Sequence, residues 1–295
     1  MTHIVYTAVY ETDDLYAGWT QDAGDFVATN VRMLDNFLHA LLPAAPDLRH
    51  ITVFQGAKAY GAHTGAMKLP GKESDPRYIS LGFYTLQEEM LKQRQQGQDW
   101  TWTIFRPQVI CGFATGAPIS CVPGLGVFAA VCRELGLPLR FPGRADGPLE
   151  AVDVELLAKA LEWAATDARC ENQIFNIHNG DVFCWPNVFP RIAHEVFDMD
   201  CAPPHTEYLS AVMPDKAGLW REMVSKYGLA NYSMDELVAS WQWVDFAFDY
   251  GDAKRLSLLS MIKTRQHGFS ECADSEDMLV RQLQEMQAAR ILPPR

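Results

Sequence analysis

Apolar and polar positions alternate along the first 180 residues with two different periods. Residues 3–9 (His-Ile-Val-Tyr-Thr-Ala-Val), 51–54, 101–106 and 173–177 are short runs rich in β-branched and aromatic side chains, which predicts strands. Between them the spacing lengthens. Val27, Val31, Leu34, Leu38 and Leu41 recur at helical intervals from Asp25, and the helix is expected to stop before Pro43. A second helix is expected over 83–96, with Phe83, Leu86 and Met90 as its apolar stripe, Glu88 one turn ahead of Lys92, and Gly97 as its stop. Further helices are expected from the Gly/Pro-rich loop at 112–124 to about Leu135 and over 154–165. Beyond Asn179 the strand pattern disappears, and 186–197, 214–227, 235–248, 253–264 and 276–290 all read as helices. The chain is α/β first and mostly helical later, which suggests a division into 1–180 and 181–295.

The central stretch, His50 to Phe113, reads as strand, loop, helix, strand. The runs His50-Ile-Thr-Val-Phe-Gln-Gly56 and Trp102-Thr-Ile-Phe-Arg-Pro107 each end in a break. Parallel strands joined by a right-handed crossover put Lys58 and Pro107 at the same carboxyl edge, where open α/β sheets bind ligands. Tyr84, at the start of the connecting helix, can reach that edge.

Composition narrows the classes. The 295 residues are 48% apolar and 21% charged, ample for a core. A net charge of −12 argues against a nucleic-acid partner, because phosphate binding needs clustered Lys and Arg. The seven cysteines are scattered with no C-x-x-C, which reads as reduced thiols. No apolar run approaches a membrane span, and no basic region precedes an apolar one at the N-terminus. No membrane association is expected, and the cytoplasm is the expected compartment.

Most motif matches are weak. Gly124-Leu-Gly126-Val-Phe-Ala129 fits the dinucleotide pattern G-x-G-x-x-A, but Pro123 precedes it and no strand leads in, so it reads better as the glycine-softened start of a packed helix. The histidines lack metal-ligand spacing, and His50 and His178 are expected as core or hydrogen-bonded residues. A short-chain reductase would offer Tyr-x-x-x-Lys, with the lysine one turn from the tyrosine and lowering its pKa. The one match, Tyr250-Gly-Asp-Ala-Lys254, is broken by Gly251 and reads as chance. Four residues beyond Tyr84 stands Glu88, so a cation for Tyr84 has to come from elsewhere, and Lys58 is the natural supplier. Taken alone, the pair is better explained by a tyrosine that closes a helix start and a solvated lysine.

Several segments occur in a telling order: Ala45-Pro-Asp-Leu-Arg-His50, Gly56-Ala-Lys-Ala-Tyr60, Phe83-Tyr-Thr-Leu-Gln-Glu88, Trp102-Thr-Ile-Phe-Arg-Pro107, Cys111-Gly-Phe113, Leu139-Arg-Phe-Pro-Gly143, Phe175-Asn-Ile-His-Asn-Gly-Asp-Val-Phe183, Trp220-Arg-Glu-Met-Val224 and Lys263-Thr-Arg-Gln-His-Gly-Phe269. Over nearly its whole length the chain resembles the progesterone 5β-reductase and iridoid synthase-like family of atypical short-chain dehydrogenases. The resemblance implies an α/β fold: a partial Rossmann-like parallel sheet of the extended type, with a mostly helical C-terminal substrate-binding part. It implies NADPH-dependent 1,4-reduction of an enone or enal, with Tyr84 binding the carbonyl oxygen and Lys58 holding the nicotinamide ribose. It further implies cofactor contacts at Ala8, Val9, Phe54, Ile110 and Ile119 and substrate contacts at Gln108 and Trp243. Phe54 replaces the family's usual glutamine, Gln108 replaces an asparagine, and the loop between Lys58 and Tyr84 is shorter than usual. Measured against the family, the chain starts at what would be the fourth strand. The strand at 3–9 is therefore expected as an exposed apolar edge, open to homodimer pairing. The alternative expectation is a non-catalytic truncated homologue that binds a small apolar ligand or a partner chain.

Overall fold

The computed structural model describes residues 1–11, 24–63, 65, 67–76, 82–249 and 256–295. The loop residues 12–23 and the Tyr250–Lys254 match lie outside the described residues. Contacts group the chain into two units, each discontinuous in sequence. The first comprises Met1–Gln108, Glu155–His178 and Ser257–Glu271; the second comprises Val109–Val154, Asn179–Leu256 and Cys272–Arg295. These units interleave along the chain, whereas the expected division was a single boundary at residue 180.

The first unit is built on four parallel strands, β1 (His3–Tyr6), β2 (His50–Phe54), β3 (Thr101–Pro107) and β4 (Gln173–Ile177), in the order β1-β2-β3-β4. All four carboxyl ends therefore share one edge. The register sets His3 beside His50, Ile51 beside Trp102, and Arg106 beside Asn176. Helices α1 (Gly24–Ala44) and α2 (Phe83–Gln95) cover one face, while α3 (Val154–Thr166) lies on the connection leading into β4 and α4 (Ile262–Gln266) packs against β4.

The alternation within the strands decides what each face buries. On the α1/α2 face, Ile51, Val53, Trp102 and Ile104 meet Leu34, Leu38 and Leu91 in one cluster. Each such fully buried side chain contributes about 1.5–3 kcal/mol. On the other face, Phe105 and Phe175 pack around Trp163 of α3, with centroid separations of 6.4 and 4.9 Å. β1 lies at the edge of the sheet, and Val5 is 46% exposed. The strand is shorter than expected: its pairing ends at Tyr6, so Ala8 and Val9 are exposed backbone beyond the ladder.

Two helix expectations in this unit need correction. α1 does not stop before Pro43. It runs through it to Ala44, because the proline sits in the last turn and Ala45 N still reaches Leu41 O at 2.9 Å. Residues 256–261 are not helical. Their backbone is committed elsewhere: Leu258 O accepts from Gly71 N, Ser260 N donates to Gly71 O, and Leu259 O lies 3.2 Å from His178 Nε2. Periodicity cannot see such long-range bonds, and helix begins only at Ile262.

The second unit surrounds the helix Val122–Glu134, buried throughout Val122–Cys132. Side chains of the segments Trp185–Arg191, Ile192–Phe197, Ala217–Tyr227, Trp241–Asp249 and Ser275–Ala288 share its core. A Cβ on Gly124 would collide with Val244, and one on Gly126 would lie 2.6 Å from Leu292 Cδ1. These glycines exist for close packing, as the weak dinucleotide match suggested. The expected helix at 235–248 is two, Met234–Leu237 and Trp241–Asp249. Ser240 breaks it by turning its hydroxyl to cap Trp243 N at 3.1 Å. Two three-residue strands, Val109–Cys111 and Ala151–Asp153, pair in parallel and were not foreseen. Such short runs carry no usable period. Among the described residues no helix is long and apolar enough to cross a membrane.

His50 is 4% exposed and its imidazole bonds Thr101 Oγ1 at 2.8 Å. Burial, with repulsion from His3, lowers its pKa to about 4. The folded value lies below the unfolded one, so the native state holds fewer protons between pH 6.5 and 4. Stability is therefore full above about pH 6.5 and falls as the pH drops toward 4, by up to roughly 3 kcal/mol at 1.36 kcal/mol per unit. Urea unfolding of wild type and His50→Gln across that interval should show a steeper decline for the wild type; parallel curves would contradict this account.

Candidate active site

The site grows from the carboxyl edge of β2 and β3. β2 ends at Phe54, and Gly56 and a 3-10 turn, Ala57–Tyr60, follow. α2 begins two residues before Thr85, and Tyr84 is its second residue. A Cβ built on Gly56 would lie 3.7 Å from the Tyr84 hydroxyl oxygen and 3.6 Å from the Pro107 carbonyl oxygen. The end of β2, the end of β3 and the start of α2 thus meet at one point. Gly56 is extended, with φ −175°, so glycine is not demanded by the backbone there. What it provides is a side-chain-free surface beside the phenol.

Lys58 stands in the turn two residues after Gly56, half-buried, with its Nζ 5.3 Å from the centroid of the Phe26 ring. Phe26 meets Phe83 edge-on at 5.3 Å, and Phe83 lies 4.4 Å from the Tyr84 ring. The lysine and the tyrosine therefore flank one aromatic cluster on the same edge of the sheet.

The electrostatics hold Tyr84 in its neutral form. Burial raises its phenol pKa well above the ordinary value, and the negative charge of Glu11 raises it further. Tyr84 can donate a hydrogen bond across the whole physiological range.

Behind the phenol lies a buried polar network. Gln55 Nε2 donates to the Tyr84 carbonyl at 3.0 Å, and Gln55 Oε1 accepts from Arg106 Nε at 2.9 Å. Arg106 Nη2 reaches Glu88 Oε2 at 3.2 Å, and Lys92 bonds the other Glu88 oxygen at 2.5 Å. The Arg106 guanidinium lies 4.8 Å over the Tyr60 ring, whose hydroxyl donates to Asn176 Oδ1 at 2.7 Å. On the α1 side, Asn30 binds the Tyr10 backbone at 2.8 and 3.0 Å and accepts at its own carbonyl from Gln87. Sequence reasoning missed Gln55, Arg106, Asn176 and Asn30. The available signal was a polar residue late in an otherwise apolar strand, as in Trp-Thr-Ile-Phe-Arg-Pro and Gln-Ile-Phe-Asn-Ile.

The other expected site residues are distributed as follows. Phe54 stacks 6.2 Å from Phe105 and offers no hydrogen bond. Gln108 is buried and spends its amide on Ser257, at 2.6 Å from the carbonyl. Ala8 and Val9 are exposed at the end of β1. Ile110 (39% exposed), half-buried Ile119 and buried Trp243 belong to the second unit, with Trp243 stacked on Phe246 at 5.1 Å.

The family model for the PRISE-like Rossmann-fold domain matches residues 6–293. The chain belongs to that family. A similar relative is an (S)-8-oxocitronellyl enol synthase of Nepeta cataria, 32% identical over 299 residues, covering 96% of this chain and 74% of the relative. Another is a 3-oxo-Δ(4,5)-steroid 5β-reductase of Arabidopsis thaliana, 30% identical, covering 96% and 75%. Among solved structures, the Bordetella bronchiseptica enzyme WbmG in complex with NAD and UDP aligns at a TM-score of 0.61 with 15% identity, covering 98% of this chain and 74% of that one. At that identity the likeness bears on fold alone. It agrees with the parallel sheet and helices described above.

The titration of Tyr84 is directly checkable. Its neutral form is favoured, so the difference between wild type and Tyr84→Phe in tyrosinate absorbance should stay flat up to about pH 10, the usual tyrosine value. A step in that difference near or below pH 10 would refute the raised pKa.

Proposed function

We propose that this protein is an NADPH-dependent reductase of the activated C=C bond of an enone or enal, with Tyr84 and Lys58 as its active pair. The observation that carries the reading is a protonated phenol beside side-chain-free backbone at the carboxyl edge of a parallel sheet. The residues present suit the nicotinamide end of such a cofactor: Gly56 leaves room against the Tyr84 hydroxyl, and the Lys58 ammonium stands two residues away in the chain.

Bound at this edge, the reduced nicotinamide supplies a hydride for the β-carbon. The Tyr84 hydroxyl donates to the substrate carbonyl oxygen, and that bond strengthens as negative charge gathers on the oxygen. Lys58 would hold the ribose hydroxyls of that cofactor and keep positive charge near the developing enolate. Proton uptake at the α-carbon completes the reduction. Ala8, Val9, Phe54, Ile110 and Ile119 are assigned to cofactor contact, and Gln108 and Trp243 to substrate contact. Names of the relatives support the reaction class: one is an (S)-8-oxocitronellyl enol synthase and one a 3-oxo-Δ(4,5)-steroid 5β-reductase.

Tyr84→Phe should lower enone turnover by about 10²-fold, the scale of losing one oxyanion donor, with NADPH affinity held within about twofold. Lys58→Met should weaken both cofactor binding and turnover. Full turnover by Tyr84→Phe sinks the proposed role. NADPH titration of the wild type is the companion measurement, since no binding at all favours the non-catalytic homologue. Pairing of two copies through the outer edge of β1, where Val5 is 46% exposed, belongs to the same reading. Sedimentation should then show a dimer fraction that rises with concentration and falls on Val5→Lys; a monomer throughout counts against it.

A further inference from the structure

We propose that Arg106 is the positioning residue for Tyr84: acting through Gln55 and Glu88, it fixes the first turn of α2 and so aims the hydroxyl over Gly56. The proposal rests on the reading of Tyr84 as the carbonyl-binding donor.

α2 lacks the usual device for fixing a helix start. Its N-cap is Gly82, which has no side chain with which to cap the first turn. The turn is held from outside instead. Gln55 Nε2 donates to the carbonyl oxygen of Tyr84 itself, and Arg106 Nη2 bonds Glu88, four residues on and therefore on the same helical face. One guanidinium thus governs both ends of that turn, directly at Glu88 and through a single amide at Tyr84. Arg106 Nε also fixes which way the amide points, because a flipped Gln55 would set two donors against each other.

Arg106 is itself immobilised. It lies 8% exposed near the end of β3, with β2 and β4 paired on either side. Tyr60 covers its plane and is tied by its hydroxyl to Asn176 of β4. Asn176 is fully buried and anchored in turn, its amide nitrogen donating to Gly71 O and Ser260 O at 3.1 Å each. The frame runs from the sheet to the guanidinium to the helix, with no solvent-exposed link. Arginine suits the task because its planar fork serves two acceptors at a fixed angle, whereas lysine presents one point charge. Apolar packing would hold α2 to the sheet equally well. It would not set the rotation of the turn that carries the phenol, and a displacement of about 1 Å there can cost 10²-fold in rate.

The test compares Arg106→Lys and Gln55→Leu, each in a wild-type and a Tyr84→Phe background, with Tyr84 replaced by 3-fluorotyrosine for a second readout. Arg106→Lys should lower enone kcat by about tenfold or more, leave NADPH affinity within about twofold, and shift or broaden the fluorine resonance of residue 84. In the Tyr84→Phe background the same substitution should cost less than about twofold, since nothing remains to be aimed. Equal losses in both backgrounds, or an unmoved fluorine signal, would overturn the proposal and leave Arg106 a structural ion pair. If Arg106→Lys does not fold, Gln55→Leu decides by the same two readouts. The enone reading fails separately: undiminished turnover in Tyr84→Phe sinks it, while the fluorine signal still decides whether Arg106 positions residue 84.

Discussion

The constraint on which this structure turns is the cost of placing polar groups where water cannot reach them. Gln55, Arg106, Glu88 and Asn176 are buried near the carboxyl end of a sheet that packs one face against an aliphatic and aromatic cluster, with half-buried Tyr84 beside them. An unpaired buried polar group costs about 1–3 kcal/mol, and a buried charge without its partner about 3–5 kcal/mol. The hydrogen bonds that join Gln55, Arg106 and Glu88, and those that anchor Asn176, meet that demand. Stability and geometry are therefore coupled: α2 cannot slide or rotate against β2 and β3 without stranding Gln55 or Glu88. The parallel order of the strands makes this possible by bringing the ends of β2 and β3 to one side.

Much of the fold was legible because it rests on local period. The strands at 50–54, 101–107 and 173–177 announce themselves by β-branched and aromatic runs, and α1 and α2 by spacings of three and four. The placement of Lys58 and Tyr84 on one edge also followed, since right-handed crossovers leave no other choice for parallel strands. Illegible parts depend on distant partners. Residues 256–261 are extended because Gly71 and His178 claim their carbonyls. The pair Val109–Cys111 and Ala151–Asp153 is too short to show alternation. The contact units cross the chain where no composition shift marks them.

The candidate site was half legible for a related reason. Chemistry-bearing residues at loop edges stand out in a sequence, and Tyr84 and Lys58 are proposed on that ground together with the family resemblance. Residues that hold them do not, because a buried glutamine or arginine looks like a surface residue until its neighbours are known. Arg106 falls inside the expected strand 101–106 and Gln55 just past the expected strand 51–54, and nothing in the period of the pattern singles out either. The glycines at 124 and 126, read from the sequence as the start of a packed helix despite their match to a dinucleotide pattern, are indeed steric: Val244, Leu283 and Leu292 fill the space a side chain would need.

The substitution of roles around Tyr84 bears on what kind of chemistry the edge can support. Where a lysine stands one turn beyond a tyrosine, its charge lowers the phenol pKa and prepares the oxygen to take or give a proton. Here that position is Glu88, its charge bound by Arg106 and Lys92, and Glu11 adds a further negative charge near the phenol. Both the local field and the loss of water push the phenol the other way. A hydroxyl kept neutral is a poor base and a steady donor. Abstraction of a proton from an alcohol would work against this environment. Stabilising charge that develops on a carbonyl oxygen needs only the donor, and that need is met without any change in the protonation of Tyr84. The role proposed for Tyr84, binding an oxygen without ionising, agrees with this environment.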